Sequence, residues 1–168
     1  MPTTESLLID DCILRLRDES LPRIQKCLAL LTDDEIWQRP NGNLVSAGNL
    51  VLHLSGNVRQ WIISTLGDEP DLRVRQEEFD DTGPIPRKEL LEKLETTVNQ
   101  GCDVIKTLTQ DTLTRDYAVQ DFQETGVSIL VHVVEHFSYH TGQIAWATKL
   151  LKDIDLDYYP DNDLSNTQ

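Results

Sequence analysis

Apolar residues recur at three- and four-residue steps in four stretches of the chain, which is the spacing of one buried face of an α-helix. The first stretch runs from about residue 4 to residue 31 and contains Pro22, which we expect to kink or split the helix. The second runs from about residue 46 to residue 66 and stops near Gly67, a residue typical of helix C-termini. The third opens after Pro86 and the fourth runs from about residue 128 to residue 151.

The connections between these helices differ in length and character. A long polar loop, GDEPDLRVRQEEFDDTGPIP, joins the second and third helices. Loops of this length usually carry function, so we expect it to cover the mouth of a site or to form a partner surface. Before the fourth helix, a linker with Tyr117, Val119 and Phe122 makes an extended excursion but shows no alternating strand pattern.

Four amphipathic helices predict an all-α protein folded as a four-helix bundle, with a long loop between helices 2 and 3. We expect one bundle domain over residues 1–152. Residues 153–168 form an acidic C-terminal tail, which we expect to be loosely ordered. Bundles of this kind hold metals and cofactors with side chains on facing helices.

Composition narrows the function classes. The net charge of −14 argues against nucleic-acid binding and against docking on anionic membranes, both of which need basic surfaces. No apolar run is long enough to span a membrane and no signal-peptide pattern precedes the first helix, so we expect a cytoplasmic protein. The three cysteines, at positions 12, 27 and 102, are widely spaced and fit reduced core thiols.

The histidines carry the candidate chemistry. His132, His136 and His140 lie four residues apart within HVVEHFSYHTGQ, and the only other histidine, His53, lies in LVLHLSGNVRQW on the second helix. Side chains four apart share a helix face, so two such imidazoles can bind one metal ion. Three ligands with an open fourth position is the pattern of catalytic zinc.

The same segment also matches a protease pattern. His132, Glu135 and His136 form H-x-x-E-H, in which two histidines bind zinc and the glutamate acts as general base. We disfavour this interpretation because Glu135 points about 100° away from His136 on a helix and little chain follows it.

The pairing of LVLHLSGNVRQW with VEHFSYHTGQIAWA resembles the DinB/YfiT-like superfamily of small metal-binding four-helix bundles. Those proteins carry one ligand on the second helix and two, four residues apart, on the fourth, followed by a Gly-Gln element. Matched residue by residue, the ligands are His53, His136 and His140, and Gly142-Gln143 is the Gly-Gln element. Thr141 departs from the pattern, since many relatives have arginine there.

The resemblance implies a homodimer and, as in some similar enzymes, a metal-bound low-molecular-weight thiol such as mycothiol or bacillithiol that serves isomerisation or S-transfer. Four further residues are candidates for supporting the ligands or contacting substrate: Asn57, His132, Tyr139 and Gln143. For His132 we favour a substrate contact or a packed surface position.

Chemistry leaves several functions open. Three imidazoles suit Zn, Ni, Cu or Fe, and we expect zinc or nickel. A metal ion lowers the pKa of bound water or of a bound thiol, which leads to hydrolysis or to thiol transfer. We therefore expect a metal-binding protein that acts on a small molecule by thiol-dependent transfer or isomerisation. The alternatives are a metal-dependent hydrolase and a non-catalytic dimeric bundle.

Overall fold

The computed structural model describes residues 1–160 and residue 165, and this part of the chain is mostly helical. Two π-helical stretches, Leu14–Ser20 and Arg59–Ser64, continue the helices that precede them. The α-helices of the described residues are, in chain order, α1 (Thr4–Ile13), α2 (Leu21–Leu30), α3 (Asp33–Trp37), α4 (Ala47–Val58), α5 (Arg75–Asp80), α6 (Arg87–Lys106), α7 (Gln110–Thr114) and α8 (Gly126–Lys152).

The helical content agrees with the predicted all-α class, but the segments are more numerous than the four predicted helices. The connections hold short helices of their own: α3 precedes the second long helix, α5 lies in the predicted long loop, and α7 follows α6. The first long run is interrupted before Pro22, which occupies the beginning of α2. Proline has no N–H for the preceding turn, and the wider π-helical turn ahead of it accommodates that loss.

The linker before α8 forms a small antiparallel hairpin that corrects the expectation of a strand-free fold. Strand β1 (Asp116–Val119) pairs with β2 (Phe122–Thr125), with Asp116 opposite Thr125. Each strand has four residues, which is too short for an alternating pattern to stand out in the sequence. The hairpin delivers Thr125 as the N-cap of α8, where its side-chain oxygen accepts a hydrogen bond from the Ser128 N–H at 3.1 Å.

The core lies where α2, α4, α6 and α8 pack together, with α4 in contact with both α6 and α8. Burial of aliphatic and aromatic side chains from all four helices supplies the main driving force for this packing. Its fully buried members include Ile24, Leu28, Leu54, Ile62, Leu90, Leu94, Ile105, Ile129, Leu130 and Phe137. The site described below lies on the seam between α4 and α8.

The chain after α8 packs against α2 instead of being loose over its first residues. Leu156 is buried, the Lys26 ammonium donates to the Asp157 carbonyl at 2.8 Å, and the Tyr158 hydroxyl lies 3.1 Å from Cys27 Sγ. The expectation of a loosely ordered tail is therefore wrong for residues 156–159. Residues 161–164 and 166–168 of the tail lie outside the described residues.

The cysteines are free and buried, as expected for core thiols. Burial raises the pKa of both Cys12 and Cys102 to about 11, so these thiols carry their protons at neutral pH. Among the helices of the described residues, none combines the length and the apolar character needed to cross a bilayer.

Two helix glycines differ in what surrounds them, and alanine substitutions should separate them. A Cβ on Gly101 of α6 would lie 2.7 Å from Val58 Cγ1 of α4, whereas a Cβ on Gly142 of α8 would meet nothing within 4 Å. Because valine is stiff, we expect Gly101→Ala to lower the free energy of unfolding by about 1–3 kcal/mol. Gly142→Ala should raise it by about 0.5–1 kcal/mol. Urea denaturation of the metal-free proteins measures both, and equal stabilisation would contradict the close α4–α6 contact.

Candidate metal centre

The three predicted ligands meet at one point of the structure. His53 and the pair His136 and His140 offer ring nitrogens that all lie within 4.8 Å of one another, on the facing sides of α4 and α8. His53 is buried, and the other two are half-buried. Two stretches of chain more than eighty residues apart therefore supply one compact imidazole cluster.

The capping residues at the N-terminus of α4 determine where His53 lies. Ser46 is the N-cap: its hydroxyl oxygen accepts from the Asn49 N–H, and the Asn49 side-chain oxygen accepts from the Ser46 N–H, each at 3.1 Å. This capping box fixes where the helix begins and hence which face His53 occupies. On α8, the four-residue spacing places His136 and His140 one above the other toward α4.

The rings are arranged edge to face around a shared centre. Nε2 of His53 lies 2.9 Å from Nε2 of His136. The His140 ring is 5.1 Å from the His53 ring and 4.5 Å from the His136 ring, nearly perpendicular to both. Perpendicular rings let the nitrogen lone pairs converge without the rings stacking on each other.

A carboxylate that sequence analysis did not identify orients His53. Glu78 Oε2 lies 2.8 Å from His53 Nδ1. Arg73 donates to both oxygens of the same carboxylate, at 2.7 Å and 2.8 Å, and its Nη2 also lies 3.1 Å from His53 Nδ1. Glu78 can only accept from Nδ1 and Arg73 can only donate to it, so the shorter contact, with Glu78, favours the tautomer of His53 that carries its proton on Nδ1. The Nε2 lone pair of His53 therefore faces the centre of the cluster.

The pKa shifts of Glu78, His136 and His140 favour the protonation states that metal binding requires. Burial tends to raise the pKa of Glu78, but hydrogen bonds from Arg73 and His53 outweigh it and hold the pKa below its usual value. Burial, followed by repulsion from His140 and His53, lowers the pKa of His136 to about 3. Burial also lowers the pKa of His140. Both imidazoles are thus neutral at neutral pH, as metal ligation requires.

The long segment between α4 and α6 covers one side of the cluster. The Asn49 amide donates to the backbone carbonyls of Glu78 and Asp81, at 2.9 Å and 2.7 Å, and Arg39 donates to the Phe79 carbonyl at 2.6 Å. These bonds hold the end of α5 on the beginning of α4. The Phe79 ring consequently lies 4.8 Å from the His53 ring, with the Arg75 guanidinium 4.7 Å above Phe79.

Three of the further candidates lie near the triad in different ways. Gln143 Oε1 accepts a hydrogen bond from His140 Nδ1 at 2.6 Å, which leaves the Nε2 lone pair of His140 free. Tyr139 is largely exposed and contacts His140 edge to face, with ring centres 5.1 Å apart. Asn57 is buried one turn after His53, and its Oδ1 has no hydrogen-bond partner among the described residues.

His132 lies outside the triad. Its ring stacks on Trp61 at 3.9 Å and lies 5.4 Å from the His136 ring, an arrangement of a packed side chain and not of a ligand. Burial lowers the pKa of His132. Glu135 is exposed, so the H-x-x-E-H pattern does not assemble into a protease site. Trp61 Nε1 is a second buried polar atom without a hydrogen-bond partner in the described part of the chain.

The donor set fits a divalent transition metal. Zinc–imidazole bonds are about 2.0–2.1 Å long, so two nitrogens bound to one ion are at most about 4.2 Å apart. The 2.9 Å separation of the His53 and His136 nitrogens satisfies that limit, and the 4.8 Å bound on the whole set requires at most a small ring rotation. Neutral imidazole suits zinc, nickel, copper and iron, and a carboxylate behind a ligand histidine is a common feature of metal sites.

Comparison with known proteins gives a family match over most of the chain. A model of the family "Protein of unknown function (DUF1572)" matches residues 9–159. Among curated proteins, none matches the chain significantly.

Solved structures provide a likeness of fold. A DinB-like protein from Bacillus cereus has a TM-score of 0.65 at 16% identity, covering 83% of this chain and 90% of its own. A DinB-like protein from Bacillus subtilis has a TM-score of 0.64 at 17% identity, covering 88% and 94%. A conserved protein from Enterococcus faecalis has a TM-score of 0.70 at 16% identity, covering 92% and 100%.

The buried ion pair between Arg73 and Glu78 should be far more important for stability than an exposed one. The Arg73 and Glu78 side chains are 2.7 Å apart and are 3% and 11% exposed. The Arg15 and Glu19 side chains are 2.9 Å apart but are 51% and 28% exposed. Arg73→Met leaves a charged carboxylate without its main partner, so we expect a loss of about 3–5 kcal/mol in urea denaturation. The matched Arg15→Met should lose less than about 1 kcal/mol.

A double variant separates the effect of the unpaired charge from the effect of the changed side-chain volume. Adding Glu78→Met to Arg73→Met removes the unpaired charge, so much of the lost stability should return. If Arg73→Met alone costs no more than Arg15→Met, the ion pair does not hold the segment on α4.

Proposed function

Because this chain belongs to the DUF1572 family, a DinB-like family, we propose that it is a metal-binding protein whose His53, His136 and His140 hold one zinc or nickel ion. The observation that carries the proposal is the convergence of three imidazoles, two of which already engage their outer nitrogens in hydrogen bonds. Glu78 accepts from His53 and Gln143 accepts from His140, so both remaining lone pairs are available for a cation.

We propose thiol-dependent transfer or isomerisation as the reaction. A divalent metal bound at this triad would lower the pKa of a coordinated thiol or water toward neutrality. The protein residues then bind and orient the ligand: the burial of His53 limits access of bulk water on the α4 side, and Asn57 offers an unpaired acceptor one turn from His53. A low-molecular-weight thiol of the mycothiol or bacillithiol kind fits this chemistry.

The carboxylates argue for transfer over hydrolysis. Glu78 is the carboxylate that contacts the triad in the described part of the chain, and it lies on the Nδ1 side of His53. Arg73 occupies both of its oxygens and keeps its pKa low, so Glu78 is a poor base for deprotonating water. A thiol needs less help to lose its proton than water does. The metal-dependent hydrolase is therefore the second candidate.

We also propose that the protein is a cytoplasmic homodimer. An apolar groove between α1 and α8, lined by Leu8, Cys12, Val131, Val134 and Tyr139 among others, favours association of two copies along that face. A dimer without chemistry at the triad is the non-catalytic alternative.

Metal content tests the proposed ligands directly. We expect the purified protein to bind about one zinc or nickel ion per chain after loading and desalting, and His53→Ala and His140→Ala each to lose it, because two imidazoles alone bind weakly. His132→Ala is the matched control on α8 and should retain the ion. Elemental analysis by mass spectrometry gives the ratio, and stoichiometric metal in both His53→Ala and His140→Ala would refute the triad.

The reaction class has a separate assay. Metal-loaded protein should accelerate S-alkylation of bacillithiol by monochlorobimane, in which a new S–C bond forms and chloride leaves with the thiol proton released to buffer. His140→Ala should remove at least about 90% of the acceleration, because the ligand set is broken. Hydrolysis of p-nitrophenyl acetate without thiol, at a rate lost in the same variant, would support the hydrolase instead.

A further inference from the structure

An apolar pocket lies about one helical turn beyond the triad, at the end of the fold where α4 begins and α8 ends. Its volume is about 250 Å³, and its wall includes Leu31, Leu44, Leu50, Trp146, Ala147 and Leu150. We propose that this pocket binds the apolar body of a small-molecule ligand whose oxygen- or sulfur-bearing end reaches the histidine triad. The inference rests on the proposed metal function and names the substrate class for that site.

One residue belongs to both places. Gln143 lines the pocket, and its Oε1 accepts the hydrogen bond from His140 Nδ1. Leu50, on the opposite wall, lies three residues before His53 on the same helix. At about 1.5 Å per residue, Ala147 lies about 10 Å beyond His140 along α8. A ligand about as long as an octyl chain therefore spans the distance from the triad to the far part of the wall.

The volume limits the size of the ligand body. Cavities of about 150 Å³ lined by aliphatic and aromatic side chains bind benzene, and sites for drug-sized molecules begin near about 300 Å³. A pocket of about 250 Å³ lies between these values. It fits a substituted aromatic ring or a medium alkyl chain, and not a nucleotide or a peptide.

The polar wall residues favour an uncharged body. Glu35 contributes to the wall, but the Lys152 ammonium contacts both of its carboxylate oxygens, at 2.6 Å and 2.7 Å. That pair leaves no net charge for a ligand to balance. The Gln143 side-chain oxygen already accepts from His140, so its amide N–H groups can donate to an acceptor on the ligand. The expected ligand thus carries one acceptor near the triad and apolar atoms beyond it.

The opening of the pocket is itself apolar. Leu44, Trp146 and Leu150 line it and remain 42%, 61% and 59% exposed. Exposed large apolar side chains collected around one cavity are typical of a ligand site or an interface. The adjoining cavity, linked through Gln143 to the triad, favours the ligand over a flat protein contact.

The test compares two hydroxamates, which bind zinc through the same head group but differ in their tails. Calorimetric titration of zinc-loaded protein should give octanohydroxamate an affinity at least about tenfold higher than acetohydroxamate, because its methylenes leave water. Ala147→Phe fills the pocket and should abolish that gain while leaving acetohydroxamate affinity unchanged. Val127→Phe, at an exposed position of α8 outside the pocket, is the matched control and should keep the gain. Ala147→Leu gives a smaller change in the same direction should the phenylalanine variant fail to fold.

The outcomes separate this proposal from the metal proposal. Equal affinities of the two hydroxamates in wild-type protein, or a gain that survives in Ala147→Phe, would overturn the pocket while leaving the metal site intact. If the protein holds neither zinc nor nickel, the proposed function fails, and 1-octanol binding to the metal-free protein then tests the pocket. Binding lost in Ala147→Phe supports it, and no octanol binding refutes it. Two further results would show instead that a second copy of the chain covers the opening of the pocket. Trp146→Ala would dissociate a dimer, and the affinity for octanohydroxamate would fall as the protein concentration rises.

Discussion

The hydrogen-bonded unit of His53, Glu78 and Arg73 is the constraint on which the candidate site depends. Two of its members come from the segment between α4 and α6, and the third comes from α4 itself. Burying a carboxylate and a guanidinium costs free energy that only good geometry recovers. Here the carboxylate receives bonds from two Arg73 nitrogens and from His53, while Gln60 accepts from a third Arg73 nitrogen at 2.9 Å. The same bonds that satisfy the charges fix the direction in which His53 presents its second nitrogen.

This constraint makes the site a meeting of three chain segments with different roles. α4 and α8 are rigid helices of the core and provide the ligands, because four-residue spacing on α8 already aligns His136 with His140. The intervening segment provides no ligand, yet it determines which nitrogen of His53 is free. Nε2 of His136 lies 2.9 Å from Nε2 of His53, so a neutral His136 with its proton on Nε2 can donate to the His53 lone pair when no metal is bound. With that proton on Nδ1 of His136 instead, two lone pairs face each other at a separation that suits a metal ion.

Much of this architecture could be predicted from sequence, and the failures have physical causes. Apolar periodicity predicts the long helices, and histidines on the apolar faces of two helices indicate a shared site. Glu78 and Arg73 had no such signal: they lie in a segment rich in both charges, where nothing local tells a buried pair from solvated ones. Their positions are fixed by Asn49 and Arg39, distant side chains that bond the backbone of α5. The hairpin and the packed residues after α8 likewise depend on tertiary contacts, such as that of Tyr158 with Cys27.

The surroundings of the triad are asymmetric, and this asymmetry bears on what approaches it. On the Nδ1 side of His53, charged groups and the Phe79 ring close the space, and all three side-chain nitrogens of Arg73 already have acceptors. On the side of Gln143, the wall turns apolar within one helical turn and opens at Trp146. A polar, fully hydrogen-bonded side resists a ligand, because entry would break bonds that are costly to lose in a buried setting. An apolar side gains free energy when a ligand displaces water from it. We therefore infer that the side with Glu78 and Arg73 holds the metal-binding histidines in place, and that the side with Gln143 recognises a small molecule.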